Sequence, residues 1–160
     1  MIRFRRATRA DVPAIVAMLT DDVLGKDREV DDLSRYLDAF EAMEQEASNT
    51  VYVGVQNGHV VATYQLTIIS GLSLSASRRA QIEAVRVDAS LRGQGAGAAL
   101  IADAEERARL SGATLMQLTT NASRKNAHRF YEKLGYEPSH IGYKKPLQGR
   151  SETPPVADLI

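Results

Sequence analysis

The chain has 160 residues, 44% of them hydrophobic and 25% charged, the balance of a globular domain large enough to bury a core. Twenty basic and twenty acidic side chains cancel to a formal net charge of +0, and no dense basic run appears, so nothing overall favours nucleic acid. The absence of cysteine removes disulfides, thiolate metal sites and a cysteine nucleophile. No apolar run approaches membrane-spanning length and Met1–Arg6 holds no apolar signal region, so a cytoplasmic protein is expected.

In chain order, Ile2 and Phe4 alternate with Arg3 and Arg5 as a short strand. Thr8 or Asp11 then opens a helix, and Pro13, tolerated only in a first turn, favours Asp11 as the cap. Val12, Ile15, Val16, Leu19 and Val23 give that helix one apolar face, ended by Gly25. The charged stretch Lys26–Asp32 reads as a connector or a substrate lid, leading to a second helix with Val30, Leu33, Leu37 and Phe40, closed at Ser48-Asn49. Val51, Val53 and Val55 alternate, Asn57-Gly58 predicts a hairpin turn, and Val60–Ile69 a longer strand. Ser70–Arg79 reads as an exposed loop. Gln81–Asp88 is the next strand, followed by glycines at 93, 95 and 97 and a helix running to about Leu110, stopped by Ser111-Gly112. Thr114–Thr120 reads as a strand. Ala127, Phe130, Tyr131 and Leu134 sit at helical spacing before Gly135, and a last strand is expected near Ile141–Lys145. Residues 1–146 are expected to form a single domain, with 147–160 a disordered tail. The predicted order is β-α-α-β-β-β-α-β-α-β-β, an α/β mixed sheet with helices on both faces.

A strand that passes through a glycine turn into a helix N-terminus is an anion site in outline. The glycines bring backbone amides close to a ligand, and the first helical N–H groups lack internal partners. A P-loop needs Gly-Lys followed by Ser or Thr, absent here. A dinucleotide fold needs a further glycine and an acid ending the next strand, and Leu118-Thr119-Thr120-Asn121 supplies none. A turn that only packs the helix on the sheet stays open on the turn alone.

Two motifs decide between these readings. Arg92-Gly-Gln-Gly95-Ala-Gly97 resembles the Arg/Gln-x-x-Gly-x-Gly/Ala pyrophosphate motif of the GNAT superfamily, the N-acetyltransferases that use acetyl-CoA. Asn126–Tyr136 is similar to that family's Ala-x-x-Phe/Leu-Tyr-x-x-x-Gly-Phe signature, with Tyr136 in place of Phe. Both stand in the family's order and spacing, and the resemblance covers roughly Met1 to Pro146.

The resemblance implies a GNAT acyl-CoA N-acyltransferase fold, with a central sheet that splays after the crossover. Pantetheine would pair with backbone at Val85, Arg86 and Val87. The amides of Gly93, Gln94, Gly95, Ala96, Gly97 and Ala98 would wrap the pyrophosphate, with Arg92 either adding a charge or standing in solvent. Asn126 would hydrogen-bond the pantetheine region or simply cap its helix. Tyr131 would be the acid that protonates the departing thiolate, the alternative being a core aromatic. Glu83 would take the proton of the amine; strand alternation places it on one face with Val85 and Val87, and the competing role is a salt bridge to Arg79 or Arg86. The implied co-substrate is acetyl-CoA, with no metal: His59, His128 and His140 make no ligand spacing. Arg78 and Arg79 are candidates to hold a carboxylate or phosphate of the acceptor. The expected partner is a small-molecule amine, with neither nucleic acid nor membrane, and a homodimer left open. Protein or peptide acetylation, and a non-catalytic acyl-CoA sensor, are the alternatives.

Overall fold

The computed structural model describes residues 1–21 and 29–147, grouped into two compact units, Met1–Thr120 and Asn121–Ile160. The first unit runs β1 (Arg3–Arg6), α1 (Val12–Thr20), α2 (Leu33–Glu44), β2 (Asn49–Gln56), β3 (His59–Ile69), a one-turn α3 (Ser73–Ala76), β4 (Arg79–Val87), α4 (Ala96–Leu110) and β5 (Leu115–Gln117). Its five strands lie in sequence order. They are antiparallel up to β4, and β5 pairs parallel to β4 because α4 carries the chain back across the sheet.

Local chemistry sets these boundaries. Of the two predicted caps, Asp11 holds the position preceding α1, without a side-chain cap bond, and Pro13 falls in the first turn. Thr8 precedes the short 3-10 turn Arg9–Asp11, and its backbone N–H and hydroxyl donate to Asp11 Oδ2 at 2.7 and 2.9 Å. Arg5 closes on the same carboxylate through two nitrogens, at 2.7 and 2.9 Å. Asn57 and Gly58 both have positive φ, 51° and 80°, as a two-residue hairpin turn requires. Asp32 caps α2 by accepting from Ser34 N at 3.1 Å, which leaves Val30 outside the helix. That helix ends at Glu44, earlier than its apolar pattern suggests, and Asn49 already belongs to β2. The predicted loop between β3 and β4 is exposed at Leu72 and Leu74 and turns left-handed at Leu74 and Ser75. The expected lid begins inside residues 22–28, with Val23 and Gly25, outside the described residues, as does the tail from Gln148.

Register divides the sheet into two faces. Phe4, Tyr52, Ala62, Tyr64, Leu66 and Ile82 share one face, and α4 lies on it, through the Tyr64 hydroxyl donating to Asp103. The other face carries Val51, Val53 and Val55, packed with Val12, Ile15 and Val16 of α1 and Leu37 and Phe40 of α2.

The second unit holds α5 (Lys125–Lys133). Its end is fixed by Gly135 at φ 89°, with Gly135 N donating to Glu132 O at 3.0 Å and Tyr136 N to Tyr131 O at 3.1 Å, the paired bonds of a Schellman motif. The expected strand at Ile141–Lys145 does not form: residues 136–147 are irregular, and Ile141 and Tyr143 are 80% and 91% exposed. Pro138 and Pro146 remove backbone donors on either side, and no described strand pairs with the segment. The described order therefore lacks the last two predicted strands.

Candidate active site

The site begins with an irregularity in β4. Opposite it on β3, Thr63 pairs with Arg86 and Gln65 with Glu83, so β4 holds one residue more than its partner. Ala84, at φ 52°, absorbs that extra residue as a bulge. The bulge corrects the face assignment. Glu83 shares its face with Arg86, whereas Val87 pairs with Ala62 on the α4 side. Alternation fails here because one inserted residue inverts every later side chain.

The opposite edge of β4 is mostly open. β5 pairs only with Arg79, Ala80 and Gln81, three residues where Thr114–Thr120 was expected to supply a full strand. From Ile82 to Val87 no described strand lies on that side, so the edge retains backbone donors and acceptors without a ladder.

That open edge runs into the glycine turn. Asp88 receives Ser90 N at 2.9 Å and its hydroxyl at 2.6 Å, and these bonds hold the Asp88 carboxyl below its usual range, the hydroxyl bond most strongly. Gln94 Nε2 reaches Ser90 O at 2.7 Å. Gly93 and Gly95 have φ of 77° and 83°, a region that L side chains avoid. A Cβ at either would meet no atom within 4 Å, so the space over the turn is open. α4 starts directly after Gly95, with no side chain capping it and no acidic residue in its first turn. The first-turn amides Ala96, Gly97 and Ala98 thus have no acid of their own turn beside them, while the helix dipole favours an anion there. Beside the turn, a groove of about 310 Å³ is lined by Ala14 and Met18 of α1, Val87, Asp88 and Arg92. Arg92 makes a loose, exposed pair with Asp21 at 3.8 Å.

The remaining candidates separate. Glu83 is exposed and, among the described residues, makes neither of the salt bridges considered for it. Arg86 turns its Nη1 back to Val85 O at 2.8 Å. Arg78 Nη1 donates to Ser111 O at 2.9 Å, whereas Arg79 Nε is buried without a partner. In the second unit, Asn126 lies inside the first turn of α5, after the capping position held by Arg124. It therefore does not cap the helix; its Oδ1 accepts from Arg129. Tyr131 is part-buried, with Phe130 and Tyr136 edge-on at 5.1 and 5.9 Å between centroids. His59 and His140 are exposed, and His128 Nε2 lies 3.0 Å from Asn121 O. Sequence reasoning missed the bulge at Ala84, for which alanine gives no signal, and the Gln117 Nε2 donation to Gln81 Oε1 at 2.7 Å across the β4–β5 pair.

A mixed sheet with one strand edge open beside a glycine-rich helix start defines an α/β domain whose helix N-terminus offers unpartnered amides of the kind that bind anions. Residues 16–136 match the model of the Acetyltransferase (GNAT) family, and the chain belongs to that family. It is similar to the aminoalkylphosphonate N-acetyltransferase of Salmonella typhimurium, 34% identical over 143 residues, covering 89% of this chain and 90% of that one. Among solved structures it is similar to a transcriptional regulator of Bacillus halodurans (39% identity, TM-score 0.88, 92% and 100% of the two chains). A Trypanosoma brucei acetyltransferase is a further neighbour (25% identity, TM-score 0.75, 92% and 100%). The chain is thus an acetyltransferase, and among the described residues no helix is long and apolar enough to cross a membrane.

Proposed function

We propose that the chain transfers the acetyl group of acetyl-CoA to the primary amine of a small molecule, by direct attack in a ternary complex. The observation that carries this reading is the open edge of β4, continuous with an uncapped, acid-free start of α4. The backbone of Val85, Arg86 and Val87 would hold the pantetheine arm. The amides from Gly93 to Ala98, with Arg92, would hold the pyrophosphate. By the family resemblance Asn126 would also hydrogen-bond the pantetheine region; its Oδ1 accepts from Arg129, which leaves the Nδ2 for that role.

The chemistry asks two proton transfers of the protein. The amine arrives as ammonium; Glu83 takes its proton, and the freed nitrogen attacks the thioester carbonyl. The C–S bond then breaks, Tyr131 delivers a proton to the departing thiolate, and the second proton shed by the nitrogen on becoming an amide passes to solvent, from which the phenol is reprotonated. The exposure of Glu83 and its lack of an ion pair among the described residues support a base open to substrate. The Salmonella relative, named for small aminoalkylphosphonates, supports a small-molecule acceptor over a protein one.

The test has two readouts. Saturating acetyl-CoA should raise Tm measurably; no shift would sink the cofactor site. CoA release should then appear with small amines and not with peptides. Tyr131→Phe should lower kcat by roughly 10²–10⁴-fold with acetyl-CoA binding retained, and wild-type turnover in that variant would remove Tyr131 from the chemistry.

A further inference from the structure

We propose that Arg79 binds an oxyanion of the acceptor, so that the substrate is a primary amine that also carries a phosphonate, phosphate or carboxylate group. This rests on the acetyl-transfer reading above and adds the residue that would select the substrate.

The two arginines at the start of β4 look equivalent in sequence and are not equivalent in the fold. Arg78 donates to Ser111 O at 2.9 Å, at the C-terminal end of α4, and so has a structural role. Arg79 is part-buried, its Nε is buried without a hydrogen-bond partner, and no carboxylate of the described residues pairs with it. A buried donor left unpaired costs about 1–3 kcal/mol, and native proteins rarely keep one without a use.

Position supplies the use. Before the bulge, Arg79, Gln81 and Glu83 alternate onto one face of β4, beside Ile69, Thr67 and Gln65 of β3. Their partners from β5 on that face are Leu115, opposite Arg79, and Gln117, bonded to Gln81. Val51, Val53, Val55 and Val60 meet α1 and α2 in an apolar cluster, and no β4 residue belongs to it. The result is a floor with a carboxylate at one end, the bonded Gln81 and Gln117 in its middle and a guanidinium between Ile69 and Leu115 at the other, the two Cα atoms about 13 Å apart along the strand. A substrate lying on this floor with its ammonium toward Glu83 presents its other end to Arg79. A guanidinium reads an oxyanion there through charge-assisted, two-pronged hydrogen bonds.

The experiment compares acceptors of similar size by CoA release: 2-aminoethylphosphonate, β-alanine and propylamine, on wild type, Arg79→Gln and Arg79→Lys. Each protein is first checked for the Tm shift with acetyl-CoA. Wild type should favour an anionic amine over propylamine by roughly 10- to 100-fold in kcat/KM, carried by KM. Arg79→Gln should collapse that ratio toward one, and Arg79→Lys should restore part of it, because lysine keeps the charge without the fork. The phosphonate and carboxylate arms tell which oxyanion is read. A wild-type ratio near one, or a ratio that survives in Arg79→Gln, overturns the proposal. Should Arg79→Gln fail to fold, ethylphosphonate competing against propylamine on wild type decides: competitive inhibition supports the site and its absence overturns it. A missing acetyl-CoA shift in wild type instead sinks the acetyl-transfer reading, which separates the two failures.

Discussion

The two faces of the central sheet treat polar groups in opposite ways. On the α4 face, Tyr64 is fully buried, and burial, then its bond to Asp103, pushes its phenol well above the usual range. Arg107 Nε completes the set by donating to Asp103 Oδ2 at 2.7 Å, and its guanidinium lies 4.3 Å over the Tyr52 ring, which stacks on Tyr64 at 5.1 Å. Each of these groups finds its partner inside the protein. On the other face, along β4, Gln81 is bonded to Gln117, but among the described residues Glu83 and the Arg79 Nε have no partner. Mutually satisfied groups rigidify a structure, whereas unpaired ones cost stability and are kept where a ligand completes them. The first face holds α4 in place; on the second, the β4 strip beyond the α1–α2 cluster is where the chemistry is proposed.

The sharpest way to break this contrast is one substitution on each face. Glu83→Gln should lower kcat by roughly 10²–10⁴-fold while changing stability by no more than about 0.5 kcal/mol, since the residue is exposed. CoA release and a urea melt on the same protein check it, and unimpaired turnover would remove Glu83 as the base. Ile101→Ala on the α4 face should do the reverse. Ile101 is 1% exposed, and truncating a buried isoleucine costs about 2–5 kcal/mol. Turnover per folded molecule should stay near wild type; a large loss of activity without a loss of stability would mean that the faces are not separable in this way.

Much of the holding face is legible in the sequence, and less of the working one. Asn57-Gly58 and Gly135 mark their turns because those conformations admit few other residues, and α4 ends at Leu110 as its pattern indicates. The glycine turn is legible for the same reason. The bulge is not, because Ala84 adopts its positive φ without a glycine or asparagine to announce it. One hidden residue is enough to move Val87 to the wrong face. Arg78 and Arg79 are adjacent, and what distinguishes them is Ser111, distant in sequence and brought near by α4. Likewise, Ile141–Lys145 has the composition of a strand, but Pro138 and Pro146 bracket it and no described strand pairs with it.

A carboxylate with a partner sharpens the contrast in a smaller way. Asp11 is buried, and the Arg5 hydrogen bonds, helped by those from Thr8 and opposed by burial, hold its carboxyl down to about 2, from 3.8. A carboxyl lowered on folding stabilises the folded state above its unfolded pKa, and that contribution disappears as pH falls through the folded value. Asp11 should therefore contribute roughly 2 kcal/mol that is lost between about pH 4 and pH 2. Urea midpoints across that range should fall more steeply for wild type than for Asp11→Asn. Equal slopes would mean that the pair contributes nothing to acid stability.

The smallest expected effect tests the floor of the cofactor site. A methyl group at Gly95 meets no atom within 4 Å, so Gly95→Ala introduces no clash, but φ 83° is unfavourable for alanine. The strain should cost about 1–2 kcal/mol in the free protein. The added carbon occupies the open space over the turn, where the pyrophosphate is proposed to sit against the amides of Ala96 and Gly97. The Tm gain from saturating acetyl-CoA should therefore shrink in addition to the drop in the free protein's Tm. Strain alone predicts a lower starting Tm with the same gain on binding; a bound pyrophosphate predicts that both fall. An unchanged gain would place the phosphates away from the helix start, and with them the rest of the cofactor along β4.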